Sequence, residues 1–145
     1  MLNVILDVRE CDGHVIVALR GELDLADAAD VAAALMAAAA GRGSIIVDLA
    51  GLAFIDCSGA AALARAQRRV RRDGGSLLLA APRPRVLRVF QLSRLIDPDS
   101  VCPSLALAAS VCEVSGIAGL TSERRWPVRR TRTGDWPERR RAGAQ

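Results

Sequence analysis

The sequence predicts an α/β domain built on a single mixed β-sheet, with an N-terminal hairpin, about four packed helices and a disordered basic C-terminal tail. Two β-branched, largely alternating runs, 3–10 and 14–20, flank Cys11-Asp12-Gly13, and an Asp-Gly pair in this setting indicates a tight hairpin. After the hairpin, helical and strand-like segments alternate along the chain. At 145 residues, of which 51% are hydrophobic, the chain is expected to form one folded domain.

The first predicted helix is alanine-rich and follows the second hairpin strand. Asp27 is the candidate N-cap, Val31 and Leu35 lie on one face, and Gly41 fits the position just after the helix end. The nearly continuous apolar run 44–49 then predicts an interior strand that is covered on both faces.

A second helix is predicted after the turn of residues 54–59 and runs to about residue 73, with Leu63, Ala66 and Val70 on its buried face. Arginines occupy its other faces, and those near its C-terminus complement the helix dipole. The remaining pattern predicts, in order, a strand over residues 76–80, a third helix from Pro84, a short strand at 101–102 and a last helix entered at 103–104.

Positive charge is concentrated at the C-terminus. All 20 basic residues are arginine, but residues 1–120 hold 12 arginines against 13 acidic residues, whereas residues 121–145 hold eight against three. Because few apolar side chains lie among those arginines, the tail is expected to be disordered. We divide the chain into a domain of residues 1–112 and an arginine-rich tail of residues 113–145. Since the folded part is not basic overall, no direct contact with nucleic acid is expected.

Composition also disfavours several functional classes. The longest uncharged stretch, residues 100–112, is too short to span a membrane, and the N-terminus lacks a secretory signal pattern, so a cytoplasmic location is expected. The four cysteines and one histidine show no metal-ligand spacing, so we expect free thiols and no metal. The sequence has no P-loop motif, and no cofactor is expected.

The best candidate for chemistry is the strand-to-helix turn Phe54-Ile55-Asp56-Cys57-Ser58-Gly59. It places polar residues at the first turn of a helix, where backbone N–H groups lack partners within the helix and favour negative charge. From the residues alone we favour Ser58 as a simple N-cap. The alternative is a phosphoacceptor, because a phosphoryl group on Ser58 would meet those N–H groups and the positive end of the dipole.

Three motifs, Gly21-Glu22-Leu23-Asp24, the strand Ile45-Ile46-Val47-Asp48-Leu49 and the turn Phe54–Gly59, occur in an order that matches a known family. Together they closely resemble the STAS domain of bacterial anti-sigma factor antagonists. Shorter pieces in the third and last helices agree with this resemblance, which covers about residues 1–112.

The resemblance implies a partner switch. The unphosphorylated protein would bind an anti-sigma factor with a histidine-kinase-like ATPase fold and so free a sigma factor. That partner is also a serine kinase, whose phosphorylation of Ser58 would release the antagonist, and a serine phosphatase would reset the cycle. The chain would then be a phosphoprotein of transcription regulation and the stress response, with no catalytic residues of its own.

The partner-binding residues that the resemblance implies are Asp24, Asp56, Cys57, Ser58 and Gly59. A phosphate on the serine would add about −1.5 to −2 charges beside the two aspartates and make the contact repulsive. Each aspartate also has a simpler explanation, as a turn former or as a cap.

The sequence departs from the family pattern at three positions. Cys57 stands where the family usually has Ser or Thr, and we favour a small buried hydrophobe there over a reactive thiol. Ala60 stands where a Leu is usual, and Arg94 lies near a position that often holds a helix-ending Gly.

Two other functions compete with the partner switch. One is a STAS adaptor subunit of a membrane transport complex, with the basic tail touching lipid. The other is a small hydrolase or thiol enzyme that uses Cys57 or Ser58, which we disfavour because His14 is the only histidine and lies at the hairpin turn.

Overall fold

The computed structural model describes residues 4–11 and 14–114, and its element order confirms the predicted one. The strands are β1 (Val4–Cys11), β2 (His14–Leu23), β3 (Ser44–Ile55), β4 (Ser76–Ala80) and β5 (Val101–Cys102). The helices are α1 (Leu25–Ala39), α2 (Cys57–Arg72), α3 (Pro84–Ser93) and α4 (Leu105–Val114), with a 3-10 turn at Pro98–Ser100 before β5. The predicted Asp12-Gly13 turn and the predicted disorder of the arginine-rich tail beyond Val114 lie outside the described residues.

The strands form one mixed sheet in the order β1-β2-β3-β4-β5. β1 and β2 pair antiparallel from Val4 opposite Gly21 to Cys11 opposite His14, which confirms the predicted hairpin. The other neighbouring strands pair in parallel. Helical crossovers return the chain between those parallel strands, as this topology requires.

Helices cover both faces of the sheet. α1, α2 and α3 pack on one face through a core that includes Val31, Leu35, Leu63, Val70, Val86 and Phe90. α4 packs on the opposite face, where Ala108 and Cys112 join a smaller cluster with strand residues Ile16, Ile46, Leu78, Ala80 and Cys102. The apolar faces predicted from the sequence are therefore the buried ones, and the interior strands are covered on both sides as expected.

Two predicted details of the first half are wrong. Asp27 is not the N-cap of α1, because Asp24 holds that position in extended conformation and accepts from the backbone N–H of Ala26 at 3.0 Å. Asp27 instead lies buried in the first turn. The third strand is longer than the predicted run 44–49, since pairing with the end of β2 continues it to Ile55. Gly41, with a φ of 75°, follows the end of α1 as predicted.

Candidate functional site

The carboxyl ends of β2 and β3 lie side by side at one edge of the sheet. Leu23 pairs with Ile55 as the last position of both strands, and adjacent strands are about 4.8 Å apart. The residue after each strand is an aspartate that caps the following helix: Asp24 caps α1 and Asp56 caps α2. The two aspartates that the family resemblance implies for partner binding therefore occupy equivalent positions on neighbouring strands.

Asp56 connects the start of α2 to the sheet. One oxygen of its carboxylate, Oδ1, accepts from the backbone N–H of Gly59 at 2.8 Å, and its own backbone N–H donates to the carbonyl of Leu23 at 3.2 Å. Since Asp56 is the N-cap, the interpretation of Ser58 as the cap is wrong. The carboxylate is one atom longer in reach than a serine hydroxyl and stands two residues earlier, where the backbone is still extended.

Ser58 is the second residue of α2 and is half-buried. Its hydroxyl makes no hydrogen bond with residues 4–11 or 14–114, because the capping contact is made by Asp56. The first N–H groups of α2 point toward this end of the helix. The position thus combines a hydroxyl that the fold does not use with an environment that stabilises added negative charge.

Cys57, the first residue of α2, is an exposed free thiol. The interpretation of Cys57 as a small buried hydrophobe is therefore wrong, because at the first position of this helix the side chain points away from the core. Ala60 is fully buried within the main core, so this departure from the family pattern affects packing under the site and leaves its surface unchanged.

Gly59 brings α2 into close contact with β2. A Cβ atom at this position would lie 2.7 Å from the carbonyl oxygen of Leu23 and 2.7 Å from Cγ1 of Ile55. Both of these residues are buried, so neither has space to retreat. The absence of a side chain at Gly59 therefore allows the first turn of α2, which includes Ser58, to lie close to the end of β2.

Two exposed apolar residues flank the predicted site and were missed by the sequence analysis. Leu25, directly after Asp24, is 74% exposed, and Phe54, two residues before Asp56, is 38% exposed. Their signal in the sequence was a large apolar residue within two positions of each capping aspartate. Together with Asp24, Asp56, Cys57 and Ser58 they form what we call the switch surface, whereas Gly59, also predicted to bind the partner, is buried beneath it.

The described residues do not assemble a catalytic or metal site around Ser58. His14, the single histidine of the chain, begins β2 while the switch surface lies past its end, and ten strand residues separate the two by about 30 Å. His14 therefore cannot activate Ser58 or Cys57 as a nucleophile. Within residues 4–11 and 14–114 no group of three His, Cys, Asp or Glu side chains could hold a metal ion, and no helix is long and apolar enough to cross a membrane.

A mixed five-stranded sheet with three helices on one face and a fourth on the other is a STAS-like architecture. Residues 6–108 match the family model of the STAS domain, so the chain belongs to the STAS domain family. No curated protein matches the sequence.

Several solved structures share the fold. An anti-sigma factor antagonist from Mycobacterium paratuberculosis is 23% identical with a TM-score of 0.67, and the alignment covers 76% of this chain and 94% of that one. The anti-sigma factor antagonist SpoIIAA in its unphosphorylated form is 24% identical with a TM-score of 0.62, over 77% and 96% of the two chains. The murine anion transporter Solute Carrier 26 family member A9 is 18% identical with a TM-score of 0.61, over 79% of this chain and 23% of the transporter.

Proposed function

We propose that this protein is a cytoplasmic anti-sigma factor antagonist, without enzymatic activity, that switches partners through phosphorylation of Ser58. The solved structures that support this role are similar along nearly their whole length, and they include an antagonist from Mycobacterium paratuberculosis and SpoIIAA. SpoIIAA of Bacillus also has a similar structure in its phosphorylated form, at 24% identity and a TM-score of 0.57 over 73% of this chain and 97% of that one.

The observation that carries the proposal is that Asp56 caps α2, whereas the hydroxyl of Ser58 makes no hydrogen bond with the described residues. Asp56 caps α2 through Gly59, so phosphorylation of Ser58 removes no hydrogen bond on which the helix depends. A kinase can therefore modify the hydroxyl while the fold stays intact. The added phosphate would be stabilised locally by the N-terminus of α2.

The switch itself is electrostatic. In the unmodified protein, exposed Leu25 and Phe54 give the switch surface apolar contact area near its two aspartates. A phosphate adds about −1.5 to −2 charges to that surface, next to the carboxylate of Asp56. Burying this charge under a partner costs desolvation energy, and an acidic partner surface is repelled, so the complex dissociates.

A second candidate function is a STAS adaptor in a membrane transport complex. It is favoured by the similarity to Solute Carrier 26 family member A9, in which the matched region is 23% of the transporter chain. In that role the surface that docks on the transporter would not require a modifiable Ser58.

The test is an in vitro reaction with a purified anti-sigma factor that has a histidine-kinase-like ATPase fold, encoded near the gene for this protein. With ATP, one phosphate is expected on Ser58 by phosphopeptide mass spectrometry. S58A should bind the partner constitutively and S58D should bind it at least about tenfold more weakly.

S104A is the matched control, because Ser104 also stands at a helix start but uses its hydroxyl to accept from the backbone N–H of Leu107 at 3.1 Å. This variant should be phosphorylated and should bind like the parent protein. Phosphate on another residue, or equal binding by S58A and S58D, would overturn the proposed switch. Co-purification with a membrane transporter that is unaffected by S58D would favour the adaptor.

A further inference from the structure

The small net charge of the folded domain conceals two regions of opposite sign. Residues 1–56 contain three arginines and nine acidic residues, whereas residues 57–96 contain nine arginines and a single acidic residue, Asp73. The second region comprises α2, β4 and α3. Since β4 is buried and carries no charge, the positive charge lies on the two helices and their ends.

These arginines share one surface, because α2 and α3 pack beside each other on the same face of the sheet. All of them are exposed. We call six of them the arginine face; they are Arg65, Arg68 and Arg72 on α2, with Arg85, Arg88 and Arg94 on or at the end of α3. The spacing of the first three, i, i+3 and i+7, places them on one side of α2.

The arginine face makes no ion pair or side-chain hydrogen bond within the described fold. Arg69 pairs with Asp73 at 3.3 Å and Arg71 approaches Asp97 at 3.9 Å, and both pairs are exposed. By contrast, none of the six arginines of the face makes an ion pair or side-chain hydrogen bond with the described residues. Their charge is therefore available to an external anion.

Helix stability does not account for all of these charges either. Arginines in the last turn of α2 complement its dipole, but Arg85 follows the Pro84 that begins α3. A positive charge at the N-terminus of a helix is unfavourable to the dipole. The position of Arg85 is consistent with selection for binding, since the fold gains nothing from it.

Exposed leucines continue the arginine face at the C-terminal end of α3. Leu92 is 74% exposed and stands one turn after Arg88, and Leu95, just past the helix, is 42% exposed. Arg85, Arg88 and Leu92 follow the spacing i, i+3 and i+7 and so lie on one side of the helix. The surface thus combines several unpaired cations with apolar side chains that project outward.

We propose that the arginine face, with Leu92 and Leu95, binds the surface of an anionic phospholipid membrane. Basic residues near an anionic leaflet are attracted to it individually, and exposed leucines add affinity by entering the region between headgroups and acyl chains. A nucleic acid would use the same charges but would gain little from the leucines. It would also lack aromatic stacking partners, since Phe90, the only aromatic residue of α3, is buried.

The switch surface lies at the N-terminus of α2, whereas Arg72 and the C-terminal end of α3, with Leu92 and Arg94, lie at the other end of that helix. Ser58 and Arg72 are separated by 14 residues of helix, which corresponds to about 20 Å. A membrane bound through Arg72, Arg94 and Leu92 would therefore lie away from the end of the molecule that carries Ser58. The proposal is independent of whether Ser58 is phosphorylated.

The test is co-sedimentation of the full-length protein with vesicles of phosphatidylcholine containing about one third phosphatidylglycerol, with pure phosphatidylcholine vesicles as the neutral comparison. R68Q/R88Q is expected to bind the anionic vesicles at least about tenfold more weakly than the parent protein. A33E/A37E is the matched control: it changes the net charge equally, at exposed positions of α1. It should retain most of the binding. The tail is unchanged in every variant, so any difference between them reports on the folded domain.

The leucines are tested separately. L92S should weaken vesicle binding several-fold, whereas L25S should leave it unchanged, although both leucines are 74% exposed. Equal vesicle binding by R68Q/R88Q and A33E/A37E would overturn the proposal. Stronger binding to a duplex DNA than to the anionic vesicles would also overturn the proposal, if R68Q/R88Q weakened the DNA complex and L92S left it unaffected. Far-ultraviolet circular dichroism confirms that each variant is folded.

Discussion

The backbone N–H of Asp56 donates to the carbonyl oxygen of Leu23 at 3.2 Å, which fixes the start of α2 to the end of β2. The hydrogen bond crosses from one strand-to-helix junction to the next and joins the two positions at which aspartates cap helices. Because Leu23 immediately precedes Asp24, the geometry of both caps depends on this contact.

Removing the cap of α2 should destabilise the domain without changing its charge pattern elsewhere. We expect D56A to lower the free energy of unfolding by about 1 kcal/mol, because the N–H of Gly59 then loses its acceptor. D56N keeps an acceptor oxygen and removes only the charge, so it should lose much less. Urea denaturation measures both. Equal destabilisation by D56A and D56N would show that the charge, and not the capping hydrogen bond, stabilises this junction.

Gly59 should tolerate no side chain. In a helix, Gly→Ala ordinarily stabilises by about 0.5–1 kcal/mol, but G59A places a methyl group 2.7 Å from the carbonyl oxygen of Leu23. We expect a net loss of about 1–3 kcal/mol, as in other overpacked sites. The same urea denaturation detects it, with S58A as a neighbouring control in the same helix turn. A variant that is more stable than the parent protein would mean that α2 can shift away from β2.

The contrast between Asp56 and Ser58 also shows which features of the structure can be predicted from the sequence alone. Element order and buried faces were predictable because they follow from the periodicity of apolar residues. The caps were not, since Asp24, Asp27, Asp56 and Ser58 are all acceptable N-cap types, and only pairing of β2 with β3 up to Ile55 decides where the strands end. The exposure of Cys57 and the arginine face shared by α2 and α3 depend on how the helices pack together, and neither is encoded in a local pattern.

Arg94 ends α3 in the left-handed conformation, with a φ of 56° and a ψ of 22°. The family pattern often has a helix-ending glycine near this position, and the backbone conformation explains that preference. A side chain in this region costs about 1–2 kcal/mol, a cost that glycine avoids. R94G should therefore raise the melting temperature. Q91G, at an exposed position inside α3, should lower the melting temperature, with a change in the free energy of unfolding of similar size and opposite sign. If both glycine variants lowered the melting temperature, steric strain at Arg94 would not be what limits the stability of this helix end.

The described thiols should differ strongly in reactivity. Cys57 is exposed at the first position of α2, whereas Cys102 and Cys112 are buried on the side of the sheet covered by α4. A chromogenic disulfide reagent added to the native protein should modify Cys57 rapidly. It should modify the two buried thiols only when the protein unfolds. C57A should abolish the fast phase among these three residues. Fast labelling of Cys102 or Cys112, identified by peptide mass spectrometry, would indicate that α4 opens from the sheet in the native state.

Burial should also make the stability of the domain depend on alkaline pH. It raises the pKa of the Cys102 thiol above its ordinary value of 9.0, so the folded state holds this proton more tightly than the unfolded state. The contribution is complete below pH 9.0 and is lost as the pH rises toward the pKa of the folded state.

The chain contains no lysine and no tyrosine, so few other groups titrate in this range. Urea denaturation at a series of alkaline pH values should show a decline that is shallower in C102A than in the parent protein. The comparison concerns the slope with pH, because C102A also leaves a small cavity that lowers stability at every pH. Parallel slopes in C102A and the parent protein would assign the decline to another group.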